Sequence, residues 1–92
     1  MEGLEREIRL GREVKELWNS EAGQRLFRDT ELRLAQEWAN TDFSDKEKHL
    51  ALHAEMRALK RLQVMMAEKV QHGKVAEDKA KMREMEQKRR VR

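Results

Sequence analysis

The sequence predicts an all-α protein: an antiparallel helical hairpin with an additional N-terminal helix and a long C-terminal helix. Three observations predict this fold class. The 92 residues include no proline and only four glycines, so little would interrupt a helix. Charged residues make up 42% of the chain and aromatic residues 4%, which leaves little material for a large core. Apolar residues recur at steps of three and four, which places them on one helix face.

The first half of the chain reads as two helices. Residues 3–18 form an amphipathic pattern that Gly11 weakens. Asn19 and Ser20 indicate a break and a new helix cap, although neither residue forbids a continuous helix. A second helix is expected over residues 21–40, and it is the more apolar partner for a hairpin. The short link that follows, residues 40–43, favours antiparallel neighbours.

The longest helical pattern starts at a predicted capping box. In that box the Ser44 hydroxyl accepts a hydrogen bond from the backbone N–H of Glu47, and the Glu47 carboxylate accepts one from the N–H of Ser44. Phe43, just before the cap, is expected to pack near His49 or Leu50. The apolar stripe of this helix is formed by Leu52, Met56, Leu59, Leu62 or Gln63, Met66 and Val70.

Because of Gly73, the sequence allows two different end points for this helix. A glycine after His72 is a suitable left-handed C-cap, in which case a further helix runs from Val75 to about Arg89. Without such a cap, one helix of more than forty residues projects beyond the hairpin. We expect a helical hairpin or bundle domain over residues 1–75 and a basic helical tail over residues 76–92.

The positive charge is concentrated in this tail. From Lys79 onwards, seven basic residues against Glu84 and Glu86 give +5, while the first 78 residues carry −2, for a net charge of +3. Such a tail could neutralise phosphates, dock on an acidic protein surface or simply be solvated. No aromatic residue is interleaved, so sequence-specific base recognition is not expected. The predicted contact residues are Lys79, Lys81, Arg83, Lys88, Arg89, Arg90 and Arg92.

The sequence lacks the residues that several classes of function need. Without cysteine there is no disulfide and no thiolate nucleophile. His49 and His53 are four apart, but the pattern supplies no third metal ligand. No phosphate-binding glycine loop and no Ser-His-Asp set can be assembled. We therefore predict no enzyme, no cofactor, no metal and no small-molecule substrate.

No apolar run approaches the roughly 20 residues of a membrane span, and the N-terminus lacks a signal-peptide pattern, which predicts a soluble intracellular protein.

The apolar residues are too sparse for the length of the chain, which indicates self-association or a partner surface. The two tryptophans could stack on bases, but their helical spacing with other apolar residues favours packing. Met65, Met82 and Met85 are candidates for contact with another chain. The predicted oligomer or partner interface comprises Trp18, Leu26, Phe27, Trp38, Leu52, Met56, Leu59 and Met66.

Three segments carry a resemblance to a known class of proteins: residues 16–24 (ELWNSEAGQ), 38–42 (WANTD) and 57–62 (RALKRL). Their spacing, over roughly residues 14–75, resembles small helical proteins encoded among the structural and morphogenesis genes of tailed bacteriophages. The resemblance implies a helical, oligomeric, non-enzymatic role in or around the phage head, in the host cytoplasm or the virion. The basic tail has no counterpart in that pattern.

These observations lead to two hypotheses of function. The first is a non-enzymatic structural or assembly protein, which forms a homo-oligomer and contacts other structural proteins through its helices. The second is a small nucleic-acid-binding module, in which the hairpin dimerises and the C-terminal tail makes sequence-independent phosphate contacts. Neither hypothesis involves a membrane.

Overall fold

The computed structural model describes residues 2–90, which form three α-helices: α1 (Glu2–Asn19), α2 (Glu21–Asn40) and α3 (Lys46–Arg90). No strand occurs within these residues. The predicted all-α fold class is confirmed, as are the additional N-terminal helix and the long C-terminal helix.

Helix α3 contacts both other helices, and both run antiparallel to it. Gly11 of α1 lies against Gly73, just past the middle of α3. Trp38 of α2 lies against His49, near the start of α3. The described chain is therefore a long hairpin in which one arm is α3 and the other arm is α1 followed by α2. Its extents of 74 × 24 × 15 Å are those of a rod.

The helix that packs most extensively against α3 is not the one that the sequence predicted. We expected α2, the more apolar helix, to be the main cover for α3, but α1 packs against α3 more extensively. The reason is that close packing depends on how near two backbones can approach as well as on apolar content, and glycines let α1 approach closely.

The inner face of α3 follows a heptad pattern. Its buried and half-buried residues alternate at steps of three and four, the repeat that lets two helices pack along a narrow seam. Ala76 is additionally buried beside this seam. The members of the seam are His49, Leu52, Met56, Leu59, Gln63, Met66, Val70, Gly73, Glu77 and Ala80.

Gly11 and Gly73 bring α1 and α3 into backbone contact. A Cβ atom built on Gly73 would lie 2.9 Å from the carbonyl oxygen of Glu7 and 2.9 Å from the Cα of Gly11. A Cβ atom on Gly11 would lie 3.0 Å from the carbonyl oxygen of Lys69. No glycine in the described chain has a positive φ. Gly73 therefore does not end the helix as a left-handed cap, and α3 continues through it.

The predicted break and cap between α1 and α2 are confirmed at Ser20. Its backbone is extended, with φ −68° and ψ 147°, and its hydroxyl accepts from the N–H of Gly23 at 2.9 Å. The same hydroxyl donates to the carbonyl oxygen of Leu17 at 2.7 Å. A side chain on Gly23 would collide with that carbonyl group, so this close turn requires glycine.

The predicted capping box at the start of α3 is wrong by one residue. Asp45 is the cap: its carboxylate accepts from the N–H of Lys48 at 3.1 Å. The hydroxyl and N–H of Ser44 both donate to the carboxylate of Asp42 instead. An Asx turn thus occupies the Ser44 hydroxyl before it can cap the helix. The predicted staple is also wrong, because Phe43 is 96% exposed.

The expected division between residues 75 and 76 falls inside an unbroken helix. Ala76 is buried, and the carboxylate of Glu77 accepts from the Arg12 guanidinium at 2.7 Å. Contact with α1 thus extends past residue 75. Every residue from Lys81 to Arg90 is exposed. Whether residues 1–75 and 76–92 act as separate units stays a prediction.

Candidate interaction surfaces

The residues predicted as a partner interface divide into three groups by exposure. Leu52 and Met66 are almost fully buried within the chain itself. Phe27, Met56 and Leu59 are half-buried, and the exposed members are Trp18, Leu26 and Trp38. A half-buried or exposed residue can still meet a partner, whereas Leu52 and Met66 already fill the space between the helices. The assignment of the set to a partner stays a prediction.

The two tryptophans lie at opposite ends of the α2–α3 contact. The Trp38 ring packs edge-on against the His49 ring, with centroids 4.7 Å apart. The Trp18 ring contacts the Phe27 ring at 5.4 Å, across the break between α1 and α2. Both indoles remain about 40% exposed, so they pack on the helices without entering a closed core.

Trp18 forms one wall of a groove where α1 ends on α3. The groove has a volume of about 350 Å³ and a mostly apolar lining that includes Met66 and Val70. Gln63 borders it and donates to the Glu31 carboxylate at 2.7 Å, which ties α2 to the same place. The groove is partly open to solvent and offers an apolar surface for contact.

One flank of the α1–α3 pair carries an ion pair beside Gly11 and Gly73. The Arg12 guanidinium and the Glu77 carboxylate form an ion pair at 2.6 Å, and Lys15 and Lys74 line the same groove. Arg12 lies a quarter turn from Gly11, and Lys74 lies a quarter turn from Gly73 in the same sense. In antiparallel helices these directions fall on the same side of the contact.

The opposite side of this pair exposes several large apolar side chains, next to the charged Glu7 and Lys69; we call it the apolar flank. Leu10 and Leu17 are seven residues apart on α1, on the side of Gly11 away from Arg12. They are 43% and 55% exposed. Leu62 and Met65 of α3 are 48% and 54% exposed, on the side away from Lys74. Val14 is half-buried between the two leucines of α1.

Sequence reasoning identified only part of this flank. It proposed Met65 for contact with another chain, considered Leu62 for the core stripe and left Leu10 and Leu17 in a generic amphipathic pattern. The seven-residue spacing of Leu10 and Leu17 was visible in the sequence. Its meaning required the direction in which Gly11 faces, which only the packed structure shows.

The predicted basic contact residues lie on the exposed end of α3, apart from Arg92, which is outside the described residues. Helical geometry spreads them around the axis. Lys79, Arg83 and Arg90 share one face, together with Glu86, while Lys81 and Lys88 lie on the opposite face. The charge therefore surrounds the helix end and does not gather into a single basic stripe.

Two general features limit the kinds of site within residues 2–90. No group of three or more His, Cys, Asp or Glu side chains is arranged to hold a metal ion. No helix in this part of the chain combines the length and apolar character that crossing a bilayer requires.

Comparisons of the chain with protein-family models, with curated proteins and with solved structures found no match.

Proposed function

We propose that this chain is a non-enzymatic structural or assembly protein that acts through helix-mediated self-association and contacts with other proteins. The observation that carries the proposal is the surface that the folded chain leaves open. Its accessible surface is 8257 Å², whereas a compact monomer of 11.0 kDa exposes about 5,600 Å². The radius of gyration of 20.2 Å compares with about 12 Å for a compact domain of this length.

The thin core supports the same proposal. Among the described side chains, the almost fully buried apolar ones are Leu34, Leu52, Met66 and Ala76. Ordering each backbone residue costs about 1–2 kcal/mol of conformational free energy. So small a buried core offsets only part of this cost, and contacts with other chains supply further stability. Burying exposed leucines and methionines against another chain supplies it at about 25 cal/mol per Å².

Sedimentation equilibrium of the intact chain tests self-association. Between about 1 and 200 μM we expect the apparent mass to rise above the monomer mass of 11.0 kDa, because association follows mass action. A monomer that melts cooperatively over this whole concentration range would contradict the proposal.

The phage setting belongs to the proposal as well, and its support is the resemblance of residues 14–75. In that setting the protein works in the host cytoplasm or the virion, and its basic tail docks on an acidic structural partner. Detection of the protein in purified virions or on assembling heads tests this setting. A gene that lies outside any phage structural region would count against it.

A second candidate function, sequence-independent binding of nucleic acid, is favoured by the exposed basic end of α3. Residues 79–90 carry six Lys or Arg side chains against two Glu side chains. About four phosphate contacts give a slope of about −3 to −4 in a plot of log K against log salt for duplex DNA.

A matched pair of triple variants tests that candidate. The first variant replaces Lys79, Lys81 and Lys88 by Gln. The second makes the same replacement at three exposed lysines elsewhere in the same helix, Lys46, Lys48 and Lys60. Tail binding predicts a shallower salt slope for the first variant only. Equal slopes, or no binding at low salt by the wild-type chain, would remove this candidate.

A further inference from the structure

We infer that the groove beside Trp18 is the docking site for an acidic amphipathic helix of a partner protein. The inference rests on the proposed function, in which the chain contacts other proteins, and it names the surface and the chemistry of the partner. It does not depend on self-association, so the two can be tested separately.

The groove follows the line along which the first arm of the hairpin lies on α3. Its central part has a volume of about 350 Å³. At one end, Trp18 and Gln63 also line a second hollow of about 230 Å³. At the other end, Lys15 and Val70 also line a third hollow of about 290 Å³. On α3 the three hollows span residues 63–77, which is about 21 Å, or four turns of a helix.

The surface of the central part is apolar. Met66 is 8% exposed and Val70 is half-buried, while Trp18 keeps 39% of its surface open. Ala67 lines the groove and is exposed, and its small side chain leaves room for the side chains of a partner. A groove between two helices accepts the apolar stripe of a third, amphipathic helix.

The charges that border the groove are the argument for an acidic partner. Among the described residues that line its central part, Lys15 is the charged one. Arg28 lines one end and Lys74 lines the other. Within residues 2–90, none of these three side chains forms an ion pair or a hydrogen bond. Their positive charges are therefore available to a partner.

The carboxylates at the two ends of the groove are already engaged. Glu31 accepts from the side-chain amide of Gln63 at 2.7 Å, and Glu77 pairs with Arg12 at 2.6 Å. Glu16 lines none of the three hollows. An incoming helix thus meets three unpaired cations, and acidic residues on either side of its apolar stripe would complement them.

A second copy of this chain is the poorer occupant. Its helical segment without a covering helix is the end of α3, where every residue from Lys81 to Arg90 is exposed. Residues 79–90 carry six Lys or Arg side chains against two Glu side chains. This segment would bring positive charge against Lys15 and Lys74, and like charges across an interface cost affinity. The charges therefore favour a different, acidic chain.

Two helical peptides serve as probes of the intact chain. Each has about 18 residues, long enough for the four turns of the groove, with leucines at steps of three and four. The acidic probe has glutamates at the flanking positions, and the basic probe has lysines there. Fluorescence anisotropy of the labelled probes gives each Kd. We expect a Kd of about 100 μM or tighter for the acidic probe and about 10-fold weaker binding, or less, for the basic one.

A pair of arginine substitutions tests whether the groove is the site. Ala67→Arg places a bulky side chain in the groove and adds positive charge, so an attraction based on charge alone would increase. Ala54→Arg, at another exposed alanine of α3, is the matched control. Alanine and arginine both favour helices, and far-UV circular dichroism checks that the helices persist. We expect Ala67→Arg to bind the acidic probe about 10-fold more weakly and Ala54→Arg to bind it as the wild type does or slightly better.

A second pair of variants tests the charges. Lys15→Glu with Lys74→Glu should reverse the preference, so that the basic probe binds more tightly than the acidic one. Lys48→Glu with Lys60→Glu, which changes two exposed lysines outside the groove, should keep the preference of the wild type. The same reversal in both double variants would show that the net charge of the chain decides, which would overturn the inference.

The remaining outcomes separate this inference from self-association. A wild-type chain that fails to bind the acidic probe at about 1 mM, or that binds both probes equally, would overturn the inference alone. Undiminished binding by Ala67→Arg would place the probe elsewhere, for example on the basic end of α3, and would also overturn it. If Ala67→Arg weakens self-association in sedimentation equilibrium, the occupant is a second copy and the acidic partner is wrong. A wild-type monomer that binds the acidic probe would contradict self-association and support this inference.

Discussion

Gly73 shows how the same residue type takes a different role once a neighbouring helix is present. In an isolated helix, alanine in place of glycine stabilises by about 1 kcal/mol, because glycine loses more backbone entropy on folding. At Gly73 that gain is opposed by backbone atoms of Glu7 and Gly11, both 2.9 Å from the position of an added Cβ. Backbone atoms cannot rotate out of the way as the end of a side chain can.

We therefore predict that Gly73→Ala destabilises the protein, by about 1–3 kcal/mol, as overpacking of a close contact does. Urea denaturation followed by circular dichroism at one fixed protein concentration measures the loss. Gly3→Ala is the matched control, since a Cβ at Gly3 meets nothing within 4 Å. The control should be neutral or slightly more stable. A more stable Gly73→Ala variant would show that α1 does not rest on Gly73.

At the scale of the element, the adjacent residues Ser44 and Asp45 at the start of α3 have different roles. Asp45 accepts from the N–H of Lys48, which satisfies one of the free donors in the first turn. Its negative charge also lies at the positive end of the helix dipole. Ser44 hydrogen-bonds to Asp42 before the helix starts, so its hydroxyl supports the turn and not the cap.

This difference predicts unequal costs for two alanine substitutions. Asp45→Ala should lower the free energy of unfolding by about 1 kcal/mol, the usual cost of losing a helix cap. Ser44→Ala should cost less, because its exposed hydrogen bond is replaced by water. Thermal denaturation of both variants measures the two effects. A larger loss for Ser44→Ala would restore the capping box expected from the sequence.

The polar residues within the seam also act at this scale. Gln63 occupies a seam position and bonds to Glu31 of α2, and Glu77 occupies another and pairs with Arg12 of α1. Polar residues in a coiled-coil seam select one register at some cost in stability. These two contacts place α2 and α1 on separate stretches of α3. The Arg12 side chain is 71% exposed, so this ion pair contributes to register more than to stability.

At the scale of the whole molecule, shape is the property that carries the proposed function. An extended hairpin buries little of its own surface and keeps much of it available to neighbours. Small-angle X-ray scattering of the monomeric fraction should give a radius of gyration near the 20.2 Å of the structure. A value near about 12 Å would mean that the chain collapses into a compact bundle, with α1 or α2 folded back differently.

The features that the sequence alone determined are local ones. The absence of proline and the spacing of apolar residues predicted the helices, and Ser20 predicted the break, because caps and helix periodicity act within a few residues. The link after Asn40 predicted antiparallel neighbours for the same reason. The basic end of α3 was equally plain from counting charges, although its role stays a prediction.

Tertiary structure decided the features that depend on distant residues. Gly73 reads as a helix end when only its neighbours are considered, yet it lies against Gly11, 62 positions earlier in the chain. That contact makes α1 the closer partner of α3 and fixes which side of α1 Leu10 and Leu17 occupy. Packing between backbones and the direction of a helix face are set by the partner helix, so no local pattern of residues contains them.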